Sequence, residues 1–434
     1  MIGREVELLI ETMGRGGDGV GRFENTRIYV PFALPDDRLR VRLTEKRGEG
    51  FGAVRIDALE EAPRAEPVCR HFSTCGGCQL QHLLPEAYRL WRSRHIEAAL
   101  ASRGLVETPM RPLIDGVPAA RRRVRLAFGQ EARGPSAAGK PVNLGFRGRN
   151  SQSIVAITQC PVAAVPITDL LAPLRRLLAG LSFSGSGGEL LLTLADSGMD
   201  LLLQSAGSLD LADREALAGF AERQDLARLA WRQDAEAPSE PIAARRPVRV
   251  TMGGIGVDLP IGAFLQATRQ AEEAILAAVS DAIGDSRRIA DLFAGCGAFS
   301  LPFAATCRDV LAIERDPAMV NAMKAGVLAS GINARFKAAA RDLDHQPLLG
   351  DDLAHVDAVV LDPPRAGARS QVEALARSAI PRIAMVSCNP TTFTRDARIL
   401  VDGGYRLSWV QPIDAFLWSA EIELVGAFKH VTAS

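Results

Sequence analysis

The sequence predicts a multidomain chain of the β and α/β classes. Its parts are a small antiparallel β-barrel over residues 1–60, a central α+β domain over 69–258 and an α/β domain with a parallel sheet over 259–434. Three observations predict it. Short alternating runs separated by glycine-rich turns fill the first sixty residues. Cysteines gather just after them, and from about residue 285 apolar runs alternate with helical segments.

The 434 residues are about three times a usual domain of roughly 150 residues. Hydrophobic residues make up 47% and charged residues 24%, which excludes a disordered tail, a collagen and a small disulfide-stapled domain. There is no apolar run long enough to span a bilayer, and MIGREVELLI carries charge where a signal peptide is apolar, so a cytoplasmic protein without a membrane partner is expected. A monomer is expected as well. Fifty-one basic residues balance 51 acidic ones, which excludes a wholly basic coat for nucleic acid but not a local patch. Residues 101–150 hold ten Arg or Lys against three acids, a local balance of +7. The seven cysteines, odd in number and unevenly placed, point to a reduced compartment with thiols kept for ligation or chemistry.

In the first part, REVELLIET, RIYVPFAL, RLRVRLTEK and FGAVRIDALEE read as strands and GRGGDGVGR as a turn. A run of short strands without a helix predicts a small barrel serving as an adaptor or an oligonucleotide-binding surface. EEAPRAEPV at 60–68 reads as a linker, PEAYRLWRSRHIEAALASRG as a helix, and RRRVRLAF, VNLGF, SIVAI, GELLLTLAD and DLLLQSA as central strands. EARGPSAAGKP reads as a turn or mobile loop, and a helix is expected around 168–180.

In the last part, RIADLFAG, DVLAIERD, VDAVVLDPP and RIAMVSCNP are four short β runs, each followed by a helix or turn. That is the pattern of a parallel sheet covered by helices. Gly295 and Gly297 follow the first run, where a sharp turn lets a ligand approach the backbone. Glu314, at the end of the next run, lies about where a carboxylate would take two ribose hydroxyls. Asp362-Pro363-Pro364-Arg365 makes a stiff loop at the carboxyl edge of the sheet. An adenosine-containing cofactor competes here with plain turns, and no lysine-bearing phosphate loop favours ATP hydrolysis. Cys388 ends a strand at the same edge, whereas Cys296 and Cys307 read as inert. Cys69, Cys75 and Cys78, with distant Cys160, could hold zinc or a [4Fe–4S] cluster, and spacing alone does not separate the two.

DLFAGCG, AIERD, LDPPR, SCNPTTFTRDA and the terminal QPIDAF…EIELV resemble the uracil-5 RNA methyltransferase family, which uses S-adenosylmethionine. The likeness covers nearly the whole chain, with residues 1–60 similar to its TRAM barrel and 69–160 to its iron–sulfur region. It implies a Rossmann-like methyltransferase domain whose cofactor contacts Gln266, Gly295, Gly297, Glu314 and Asp362. It implies a [4Fe–4S] site on Cys69, Cys75, Cys78 and Cys160. It implies Cys388 as nucleophile and Glu423 as base, with Glu421 the rival in another register. The chain departs from the family at Thr268, the last position of the FxQxN pattern, at Ala298 after the glycine turn, and in LWSAEIE.

The chemistry accounts for the thiol. C5 of uracil is a weak nucleophile; thiolate addition at C6 makes an enolate whose C5 attacks the sulfonium methyl. A base then removes the C5 proton and the cysteine is eliminated. Arg121, Arg123 and Arg125, on one face of RRRVRLAF, are candidates for RNA phosphate contact, with Arg122 on the other face. The target base must leave its stack or come from an unpaired loop. By resemblance, the barrel together with four cysteines points to 23S ribosomal RNA rather than transfer RNA. An RNA amino-methyltransferase would not need Cys388, and a non-catalytic RNA-binding module with a structural metal would not need Cys388, Glu423 and Asp362 together. A redox enzyme lacks a flavin or nicotinamide fingerprint.

Overall fold

The computed structural model describes residues 1–130, 142–306, 308–332 and 335–431. EARGPSAAGKP at 131–141 and Cys307 lie outside the described residues. The chain divides into two compact units, Met1–Ala98 with Arg147–Ser153 and Phe416–Glu421, and Ala99–Phe146 with Ile154–Ala415 and Ile422–Ser434. No helix among the described residues is long and apolar enough to cross a membrane.

The first unit contains a closed barrel of β1 (Glu5–Met13), β2 (Gly19–Phe23), β3 (Thr26–Val30), β4 (Arg38–Arg47) and β5 (Gly50–Glu60), in the order β1-β2-β3-β5-β4. Strand alternation builds it: β1 turns Val6, Leu8 and Ile10 inward, and β4 does the same with Leu39, Val41 and Leu43. The outward arginines of β4 meet acids across the sheet, Arg42 with Glu5 and Arg40 with Glu7. Such exposed pairs are individually weak, so the barrel rests on its apolar interior. It differs from the antiparallel expectation at one seam, where β3 and β5 pair in parallel. Alternation fixes which face of a strand is buried, not which strands meet.

Beyond the barrel, helix α1 (Pro85–Ala101) buries Tyr88, Trp91 and Ile96. Its Arg92 is fully buried, donates to Tyr88 Oη at 2.7 Å and reaches the carbonyls of Phe416 and Glu421.

In the second unit, β6 (Arg123–Gln130), β7 (Val142–Arg147), β8 (Ile154–Ala156), β9 (Gly188–Ala195), β10 (Gly198–Gln204), β11 (Arg228–Arg232) and β12 (Glu240–Ala244) form a sheet in the order β12-β11-β10-β9-β6-β7-β8. The parallel β10–β11 pair is joined by α4 (Leu211–Arg223), which Asp210 and Asp213 cap reciprocally. With α2 (Val165–Asp169) and α3 (Leu171–Gly180), this sheet encloses a core rich in leucine, including Leu126, Leu144, Leu174, Leu192 and Leu203. A hairpin of β13 (Arg249–Met252) and β14 (Ile255–Asp258) shares its core with the elements that follow.

Those elements are α5 (Arg269–Ile283), β15 (Arg288–Leu292), α6 (Ser300–Ala305), β16 (Asp309–Glu314), α7 (Pro317–Ser330), β17 (Phe336–Ala340), α8 (Gly350–Leu353), β18 (Ala358–Leu361), α9 (Arg369–Ala376), β19 (Arg382–Ser387), α10 (Pro390–Asp402), β20 (Tyr405–Ile413) and β21 (Glu423–His430). The sheet order is β17-β16-β15-β18-β19-β21-β20, parallel from β17 to β19, with β21 antiparallel to both its neighbours. β18 is buried along its whole length, as a central parallel strand between helical layers must be. The sequence pattern missed β17: it is an edge strand with one buried residue, Ala338, and so has no apolar run to show. The order reverses at β15, which pairs with β16 on one side and β18 on the other. Ligands of doubly wound sheets bind at the carboxyl ends of the strands at such a reversal.

Candidate active site

Four candidate segments leave the sheet at that edge: the glycine turn after β15, Glu314 at the end of β16, Asp362 just after β18 and Cys388 just after β19. They are far apart in sequence and come together because parallel strands all end on one side.

Gly295 and Gly297 adopt φ of +57° and +97°, the left-handed region that glycine enters at least cost. A Cβ on Gly297 would also stand 2.6 Å from Leu301 Cγ, so this turn excludes larger residues. Glu314 spans the turn: its Oε2 accepts from Gly295 N at 3.0 Å and its Oε1 from Asp316 N at 2.9 Å. Cys296, inside the turn, is buried, and burial with the nearby acids Glu314 and Asp316 pushes its thiol up to about 12, the behaviour of an inert cysteine.

Asp291, near the end of β15, and Asp362, just after the adjacent β18, are the acids between these segments. Asp291 is fully buried and its Oδ2 accepts from the amide of Ser300 at 2.9 Å and from the Ser300 hydroxyl, while its Oδ1 has no hydrogen-bond partner. Burial pushes its carboxyl up to about 7 against the opposing Ser300 hydrogen bonds, with Glu314 adding to the rise. Asp362 is also pushed up to about 7, by burial first and then by Asp291; the Gln266 amide opposes this by donating from Nε2 to Asp362 Oδ2 at 3.0 Å. The unpartnered oxygen and the raised carboxyls suit a cationic ligand, and the two ribose hydroxyls of a nucleoside suit Glu314.

The loop after Asp362 is tied to α10. Asn389 Nδ2 and Thr392 Oγ1 donate to the Arg365 carbonyl at 3.4 and 3.2 Å, Arg395 donates to the Ala366 carbonyl at 3.1 Å, and Ala368 N donates to Asp396 at 3.1 Å. Asn389 caps α10 through Thr391 N, and Pro390 takes the first helical position, where its missing N–H costs nothing. Cys388, half-buried, stands immediately before that cap, next to a helix N-terminus that favours an anion.

Glu423, 3% exposed, opens β21. The β19–β21 ladder pairs Ser387 with Leu424, so Cys388 and Glu423 are the next residues beyond that pair on adjacent strands. Glu421, the rival, belongs to the first unit.

The arginine strand is only partly as expected. Arg125 is exposed and paired with Glu189 at 2.9 Å. Arg121 precedes β6 in an isolated bridge to Ala163 and donates to the Arg123 carbonyl at 3.3 Å. Arg123 lies 5.4 Å over the Phe264 ring, and burial, then Arg125 and Arg121, pull its guanidinium down to about 10. Arg122 points inward to Gln266 and Glu272, a contact that sequence reading assigned only to the opposite face. Thr268 caps α5 through Ala271 N at 3.0 Å, so this departure from the family pattern keeps a side-chain cap.

Cys69, Cys75 and Cys78 lie in the first unit and Cys160 in the second; all four are half-buried. Gly77 N donates to Cys75 Sγ at 3.4 Å, the contact an electron-rich sulfur accepts. Thiols are the right donors for an iron–sulfur cluster, but among the described residues no group of three or more His, Cys, Asp or Glu is gathered so as to hold a metal ion.

A family model described as tRNA (uracil-5-)-methyltransferase matches residues 257–428, and a TRAM domain model matches residues 1–51. An uncharacterized RNA methyltransferase of Brucella suis biovar 1 is 39% identical, covering 96% of each chain. The 23S rRNA (uracil(1939)-C(5))-methyltransferase of Aeromonas salmonicida is 31% identical, covering 98% of this chain and 97% of its own. The Pyrococcus abyssi tRNA (uracil-54, C5)-methyltransferase structure, in complex with S-adenosyl-L-homocysteine, shares the fold, with a TM-score of 0.75, 20% identity and coverage of 97% and 99%. The chain belongs to the S-adenosylmethionine-dependent RNA (uracil-5-)-methyltransferase family.

Proposed function

We propose that the protein methylates C5 of one uridine in 23S ribosomal RNA, with Cys388 as the covalent nucleophile and Glu423 as the base. The observation that carries the mechanism is the β19–β21 register, which sets Cys388 and Glu423 on adjacent strands at the edge where the cofactor candidates end. S-adenosylmethionine supplies an electrophilic methyl group when bound. Gly295 and Gly297 would give it room beside the backbone, Glu314 would take the ribose, and Gln266 and Asp362 would also hold the cofactor. Cys388 adds to C6, C5 takes the methyl group, and Glu423 removes the C5 proton so that the thiolate can leave. The ribosomal substrate is supported by the Aeromonas relative, similar over nearly its whole length. Arg121, Arg123 and Arg125 meet the RNA backbone, and the protein acts as a cytoplasmic monomer.

We also propose a [4Fe–4S] cluster on Cys69, Cys75, Cys78 and Cys160, supported by their spacing and thiol chemistry. The methylation requires no electron from it.

Transfer RNA is the second reading, favoured by the match to the Pyrococcus abyssi fold over 97% of this chain. Possession of a barrel and a middle region therefore does not by itself choose the substrate. The test is incubation of anaerobically prepared protein with methyl-labelled S-adenosylmethionine and unmodified 23S ribosomal or transfer RNA, followed by nucleoside mass spectrometry. Label in 5-methyluridine from ribosomal RNA supports the proposal. The same product from transfer RNA alone replaces the substrate and keeps the mechanism, and label in a methylated amine overturns the mechanism.

A further inference from the structure

We propose that Arg122 is a positioning residue for the cofactor site, acting through Gln266 on the half-buried Asp362. The proposal rests on the reading of Gln266 and Asp362 as cofactor contacts. Arg122 stands just before β6, and its side chain is 6% exposed. Its Nε donates to the Gln266 carbonyl at 3.1 Å, its Nη2 pairs with Glu272 in the first turn of α5, and its own amide donates to the Ala267 carbonyl at 2.9 Å. Its carbonyl in turn accepts from Leu194 N at 2.7 Å, which anchors it to β9. One residue at the start of β6 thus holds both ends of the 266–272 segment. The side chain of Gln266 then donates to Asp362 at 3.0 Å.

A buried ion pair alone would be weak reason to assign a role, because its desolvation cost rivals its attraction. Here the guanidinium has a second task that an apolar residue could not perform. It fixes the backbone of the residue whose amide orients the half-buried Asp362 carboxylate. That amide hydrogen bond favours the ionised form of Asp362, while burial and Asp291, at the end of the neighbouring strand, oppose it. Loss of the strut lets Gln266 move, and the Asp362 carboxyl rises. Binding of a cationic cofactor, which needs the carboxylate, then fails at a higher pH than in the parent protein.

The test is S-adenosylmethionine binding measured by calorimetry across pH for the parent protein, Arg122→Met, Arg122→Lys, Gln266→Ala and the Arg122→Met/Gln266→Ala double variant. Arg122→Met should weaken binding at neutral pH by about 10-fold and move the acidic midpoint up by about one half to one pH unit, as loss of a hydrogen bond to a charged group implies. In the Gln266→Ala background it should add less than about 2-fold, because the two act in series. Parent-like binding and midpoint in folded Arg122→Met, or additive losses in the double variant, would overturn the proposal. If Arg122→Met does not fold, Arg122→Lys decides: lysine keeps the charge toward Glu272 but cannot hold the carbonyl with the same planar fork, so a parent-like midpoint again overturns it. If Gln266→Ala leaves binding unchanged, the pocket assignment itself fails and the inference goes with it.

Discussion

Glu314 closes on Gly295: the carboxylate at the end of β16 accepts the amide of the glycine turn after β15 at 3.0 Å, while its other oxygen accepts Asp316 N. The two residues are nineteen positions apart, and the parallel β15–β16 pair makes them neighbours. Glu314 therefore ties the turn to the end of β16, and on the proposed reading it is the group that takes the ribose. Glu314→Gln leaves one acceptor oxygen for two backbone N–H donors, so it should loosen the turn, lose charge-assisted contact with the hydroxyls and weaken S-adenosylmethionine binding by about 10-fold, about 1.4 kcal/mol. Calorimetry checks this, and unchanged affinity would remove Glu314 from the site.

Cys388 and Glu423 should fail at different steps. Cys388→Ala should abolish methyl transfer and covalent trapping by RNA carrying 5-fluorouridine, yet bind S-adenosylmethionine as the parent does. Glu423→Gln should complete addition and methyl transfer but stall before elimination, so that a protein–RNA adduct accumulates on ordinary uridine. Denaturing gels read both outcomes. Absence of adduct in Glu423→Gln, with methyl transfer retained, would assign the base elsewhere.

Asp291 and Asp362 make stability pH-dependent in an unusual direction. Burial pushes both carboxyls well above the ordinary carboxylate range in the folded protein, toward about 7, so the folded protein binds more protons than the unfolded chain across that interval. Their contribution to folding stability is full below the ordinary carboxylate range and is lost as pH rises from that range through about 7. Asp291→Asn should flatten this fall in Tm measured without cofactor from mildly acidic to mildly alkaline buffer. An identical slope in parent and variant would show that other groups set it.

The thiol set has a test independent of activity. Anaerobic protein should carry iron and acid-labile sulfide in equal amounts with visible charge-transfer absorption, and Cys78→Ser should lose them. Zinc without sulfide would replace the cluster by a tetrahedral zinc site.

Arg125, exposed and paired with Glu189, is the arginine best placed for electrostatic contact. Arg125→Ala should weaken binding to all RNA sequences alike and reduce the slope of log affinity against log salt by about 1. An unchanged slope would leave Arg125 to its partner Glu189.

Much of this protein is legible in the order of its residues. Alternation in β1 and β4 marks the barrel interior, because a strand's side chains alternate faces whatever lies around it. The runs before Gly295, Glu314, Asp362 and Cys388 mark a parallel sheet, and the parallel arrangement alone puts their carboxyl ends on one edge. What local pattern could not carry is the choice of partners. The parallel β3–β5 seam, the edge strand β17 and the step from the Ser387–Leu424 pair to Cys388 and Glu423 are decided by pairing between distant segments. Arg122 shows the same limit: its neighbours in RRRVRLAF make it look like one more surface cation, and only the approach of the Gln266 turn gives its guanidinium a buried carbonyl and a carboxylate to satisfy. Sequence determines which groups are available and which face they occupy, whereas burial and hydrogen-bond partnership belong to whichever distant segment the folded chain brings alongside.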